Sequence, residues 1–212
     1  MTIHEPATLA TDLLLAAVAG SLAFRLTQRI APESRAARWW SIALTLTAAS
    51  AFVGGTYHGF APNLAATPAQ LWWLVTLWLV SLISAAMTVS WIHEVIRPSA
   101  RKIFFAVAIL KLLVFAALAA NRPAFTTVIF DYGSSLLLWL GAALILRRAW
   151  SAWMIAAIAL SVIAALVQQL HLAPAPWFNH NDLYHVLQAI ALVAFYRAAL
   201  RMSVANASVP AL

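Results

Sequence analysis

The sequence predicts an all-α integral membrane protein of seven transmembrane helices, with the N-terminus outside and the C-terminus in the cytoplasm. Three observations carry this. Of 212 residues, 64% are hydrophobic and only 9% are charged, against about 45–50% and about 25% in soluble domains. A chain of this length cannot hide such an excess in a water-soluble core. Seven stretches reach the roughly 20 apolar residues that a spanning helix needs. The basic residues alternate between the connectors. Disorder is excluded by the same composition, and the whole chain, residues 1–212, reads as one domain.

The first span, Leu9–Gln28, is preceded by Glu5 and by no Lys or Arg. It therefore reads as a retained span and not as a cleaved leader, which opens on basic residues. The others are Trp39–Phe60, Leu71–Ile96, Ile103–Ala120, Phe125–Leu146, Ala152–Leu172 and Leu183–Met202. Breakers such as Ala31-Pro32, Ala61-Pro62-Asn63, Arg97-Pro98-Ser99 and Pro174-Ala175-Pro176 separate them.

Charge gives the orientation. Arg25, Arg29, Arg35 and Arg38 flank the first connector, and Arg97, Arg101 and Lys102 flank the third. Arg147 and Arg148 lie in the fifth, and Arg197 and Arg201 near the C-terminal end. Of the 13 basic residues only Lys111, inside a span, and Arg122 lie elsewhere. The positive-inside rule makes the rich side cytoplasmic. The net charge of +7 is thus a topology signal, not a nucleic-acid surface. The expected location is a plasma membrane, the inner membrane in a bacterium. Cysteine is absent, so a metal would be held by His, Asp or Glu.

Ionisable groups within a membrane are costly and mark functional positions. His58, His171, His180, Asp182 and His185 all fall at the outer ends of spans. The segment Trp177-Phe178-Asn179-His180-Asn181-Asp182-Leu183-Tyr184-His185 holds two His and one Asp. With Asn181 or Asp182 as N-cap, Asp182 and His185 share a helix face. Asp182 could then ligate a metal or orient an imidazole. The alternative is capping plus an interfacial aromatic belt. In Gly54-Gly55-Thr56-Tyr57-His58, the glycines permit close helix approach and could bring His58 to the span-seven pair. Three imidazoles and a water form a known catalytic zinc set. Asp131 reaches the depth of Lys111 on the neighbouring span. It reads either as a structural ion pair or as an acid–base group.

This arrangement resembles the superfamily of alkaline ceramidases and adiponectin receptors. The resemblance covers the topology of nearly the whole chain and rests on His58, His180 and His185. It implies zinc held by those three His. It also implies a metal-activated water attacking an amide in a lipid; for this chain the expected substrate is a lipid-like amide or ester, with Asp182 or Asp131 as base or as acceptor from a ligand imidazole. Gly54 stands where the superfamily has Ser. The last two His are five apart instead of four, with Asn181 at the expected place. Gln70 is the polar residue nearest to the position of the superfamily's third-span Asp. Two other functions compete: a transporter or receptor without chemistry, and a haem protein using the outer His cluster. Retinal is disfavoured, since span seven has no Lys. The sequence leaves the oligomeric state open.

Overall fold

A computed structural model describes residues 2–207. Among them there are seven α-helices: α1 (Pro6–Thr27), α2 (Arg35–Phe60), α3 (Ala66–Val95), α4 (Arg101–Asn121), α5 (Phe125–Leu146), α6 (Ser151–Gln169) and α7 (His180–Ala207). Six of the seven are long and apolar enough to cross a membrane. The exception by composition is α2, whose Ser, Thr and Gly residues dilute its apolar character; Ser41, Ser50, Gly54, Gly55 and Gly59 are buried against its neighbours.

Several helices begin before the apolar stretch that predicts them. Helical hydrogen bonding continues past the apolar stretch until a capping group or Pro intervenes. α7 gives the clearest case. It starts at His180, not at the predicted Leu183, because Asn179 is the cap. The Asn179 side-chain oxygen accepts the N–H groups of Asn181 at 2.7 Å and Asp182 at 3.3 Å. Asp182 Oδ2 takes the Asn179 N–H at 2.7 Å. This reciprocal pair is a capping box with Asn and Asp in place of the usual Ser/Thr and Glu. Asn179 thus replaces Asn181 or Asp182 as the expected cap.

Six helices close a ring in the order α1, α2, α3, α5, α6, α7, and α4 lies outside it against α3 and α5. Helix direction alternates along the chain. The starts of α1 and α7 meet where Thr8 bonds Asp182, and the start of α1 meets the end of α2 where the His4 N–H donates to Gly59 O. This is called the first end below. The basic connectors gather at the opposite, second end.

Close approach of α1 and α2 depends on glycine. A Cβ on Gly55 would lie 2.5 Å from Asp12 Cβ, and one on Gly59 would lie 3.0 Å from Leu9 Cδ2. The pair makes a one-turn Gly-x-x-x-Gly contact. Gly55→Ala must therefore push α1 outward, at a cost of roughly 1–3 kcal/mol. Gly141→Ala, whose Cβ meets nothing within 4 Å, is the control and should leave the unfolding temperature unchanged or higher. Equal melting behaviour of the two variants in detergent would refute this account.

Candidate functional site: a cavity with a carboxylate–imidazole pair

The first two turns of α1 place Thr8, Thr11 and Asp12 on the side facing α7. α7 answers with Asp182 and His185, three apart and running parallel. Thr8 Oγ1 donates to Asp182 Oδ1 at 2.8 Å. One turn deeper, His185 Nε2 lies 3.2 Å from Asp12 Oδ1, and His185 Nδ1 lies 3.1 Å from Thr11 Oγ1. The Thr11 hydroxyl donates to Thr8 O at 3.1 Å. Its single proton is thus used, so Nδ1–H is the donor to Thr11. Nε2 then faces Asp12 with one proton between them. The pair is either carboxylate with imidazolium or carboxylic acid with neutral imidazole. Both residues are buried.

Asp12 and His185 form part of the wall of a cavity of about 580 Å³ inside the helix ring, together with His58, His180 and Gln188. Leu136 and Leu192 also line it. One turn beyond them, Trp40, Trp139, Trp150 and Phe195 are fully buried. Trp40 stacks on Phe195 at 4.9 Å, and Trp139 meets Trp40 at 5.7 Å and Trp150 at 5.4 Å. Trp139 and Phe195 thus pack three residues beyond Leu136 and Leu192, and none of the four rings belongs to the cavity wall. Its side is open. Val162 and Leu166 belong to the wall and are also 48% and 52% exposed. Gly133 belongs to it too, and a Cβ there would meet nothing within 4 Å. The gap lies between α5 and α6.

The sequence-predicted residues separate into three places. His58, His180 and His185 all line the cavity, but each holds a different partner. His58 Nδ1 faces Glu5 Oε2 at 3.2 Å, and His185 faces Asp12 and Thr11. The His180 ring lies 4.6 Å from that of His171. His171 closes α6 in the left-handed region, φ 54°. Bonds from His171 N to Gln168 O and from Leu172 N to Val167 O complete a Schellman turn around it. Among the described residues no three His, Asp or Glu form a group that could hold a metal. In this conformation the three His are not gathered into one such group. Asp182 serves the cap and Thr8. Asp131 faces away from the cavity: Lys111 Nζ reaches its Oδ1 at 2.6 Å, and Ser84 Oγ donates to it at 2.8 Å. Sequence reasoning missed Asp12, although an ionisable residue inside the first apolar stretch is itself a signal.

The fold and cavity define an all-helical bundle with membrane-length helices around a buried acid–base pair. Residues 7–204 match the family described as DUF6962, a family of unknown function, and the chain belongs to that family. No curated protein and no solved structure matches it.

Proposed function

We propose that the chain is an integral membrane hydrolase that cleaves an amide or ester bond in a lipid-like substrate. Asp12 and His185 are its proton-transfer pair. The observation that carries the reading is the placement of this pair in a cavity open sideways between α5 and α6. An amphiphile can enter such a gap from the bilayer, lay its apolar part along Ile83, Leu136 and Leu192, and present its polar linkage at Asp12. The basic connectors support a cytoplasmic second end, which puts the first end outside a plasma membrane.

Asp12 Oδ1 is engaged with His185, and Oδ2 is the oxygen left to accept a proton. A water gives that proton to Oδ2 as its oxygen attacks the carbonyl carbon. The carbon–nitrogen or carbon–oxygen bond then breaks, and the proton passes to the leaving amine or alcohol. His185, held by Thr11, stabilises whichever charge state Asp12 adopts. Ser161 donates to Gln188 Oε1 at 3.2 Å, so the Gln188 amide N–H groups are the nearby donors for a carbonyl oxygen. No step of this mechanism is routed through zinc, since the described residues form no three-residue group for it. The buried aromatic cluster beyond the cavity argues against an open channel along the bundle.

The test uses purified protein in micelles with N-acyl and O-acyl amphiphiles of increasing chain length, read by mass spectrometry of the products. Hydrolysis that rises with acyl length is expected. Gly133→Leu should obstruct the lipid-like substrates and spare a short water-soluble ester. Flux in proteoliposomes without any product would overturn the reading in favour of transport. One zinc per chain, lost alike in His58→Ala, His180→Ala and His185→Ala, would replace the Asp12 mechanism with the metal set expected from the resemblance.

A further inference from the structure

We propose that a basic groove at the second end of the bundle binds the phosphate headgroup of an anionic phospholipid. The groove encloses about 330 Å³ where α1, α6 and α7 meet and is lined by Arg29, Arg197, Arg201, Trp153 and Leu200. Arg197 and Arg201 are four apart on one face of α7, and Arg29 follows the last turn of α1. Arg197 Cζ lies 6.0 Å from the Trp153 ring, within reach of a cation–π contact.

These three guanidinium groups make no ion pair among the described residues, whereas Arg148 at the same end pairs with Glu94 at 2.8 Å. No acidic side chain lines the groove. Three like charges on one concave wall repel one another, and an anion between them reverses that term. Phosphate oxygens match guanidinium forks. Trp153 and Leu200 give the groove an apolar side, which a free phosphate leaves uncovered and a glycerol with its acyl chains covers. Basic pockets between membrane helices are suited to such headgroups. The inference uses the membrane placement proposed above but not the hydrolase reaction.

The test is native mass spectrometry of the full chain in neutral detergent. Phosphatidylglycerol, phosphatidylcholine with the same acyl chains, and inorganic phosphate are each titrated. One phosphatidylglycerol should be retained with about tenfold preference over phosphatidylcholine, the loss or gain of one charge-assisted contact. The triple variant Arg29→Gln/Arg197→Gln/Arg201→Gln should lose that preference, while Arg38→Gln/Arg97→Gln at the same end keeps it. Trp153→Ala, which preserves all three charges, should weaken lipid retention. Equal retention of the two lipids, or equal loss in the control variant, would overturn the site. Inorganic phosphate binding as tightly as the lipid would show a soluble-anion site instead and overturn the lipid assignment.

Discussion

Lys111→Met lowers stability by roughly 3–5 kcal/mol, the usual result of stripping one partner from a buried ion pair. Asp131 is 1% exposed and Lys111 18%, so the two losses are unequal. Without Lys111 the carboxylate is stranded, and its Oδ2 already lacks a partner. Ser84 alone remains on Oδ1. Without the carboxylate, Lys111 keeps Ser84 and Ser135 at 2.6 and 3.0 Å and has a path toward the surface. Asp131→Asn should therefore cost clearly less than Lys111→Met. The double variant Lys111→Met/Asp131→Leu should recover most of the loss. Thermal unfolding in one detergent orders the three. A Lys111→Met protein as stable as the parent would show that the pair does not hold α4 to the ring.

Asp12→Asn should slow hydrolysis by about 10²–10⁴-fold, the range for losing a positioned general base. His185→Ala should fall in the same range. The double variant should be no slower than the worse single one, because the two residues handle one proton as a unit. Thr11→Val leaves the carboxylate in place and removes only the anchor of Nδ1, so its effect should be smaller. Asp131→Asn is the comparison, since Asp131 lies outside the cavity; its turnover per folded molecule should match the parent. If Asp12→Asn retained parental turnover while Asp131→Asn lost it, the chemistry would belong to the α3–α5 network instead.

The helices were legible because apolar length is a one-dimensional signal, and α5 matches its predicted span at both ends. The pairing of Lys111 with Asp131 was legible for a related reason. A short connector ties α4 to α5, so counting residues from Arg122 gives each side chain its depth. Asp12 was hidden because depth is not direction. Seven alternating spans make α1 and α7 parallel, but nothing along the chain says that these two helices, at opposite ends of the sequence, lie side by side. The α7 cap was ambiguous because Asn179, Asn181 and Asp182 are all good cap residues within one turn. Only the Asp182–Asn179 reciprocal bond selects among them. The lateral gap at Gly133 was invisible because a glycine without neighbours and a glycine in tight contact look alike in a sequence.

The buried aromatic cluster has a consequence for passage along the axis of the bundle. The deepest residues of the cavity wall, Leu15, Thr47, Ile83, Leu136 and Leu192, lie near the middle of their helices. Beyond them lie Trp40, Trp139, Trp150 and Phe195, all buried and in mutual contact. Trp139 Nε1 is tied to Met87 O at 3.0 Å and Trp150 Nε1 to Glu94 Oε1 at 3.0 Å, whereas Trp40 Nε1 is buried without a partner. An ion crossing this layer would pay its full desolvation. Such packing opposes the passage of an ion between the two ends of the bundle.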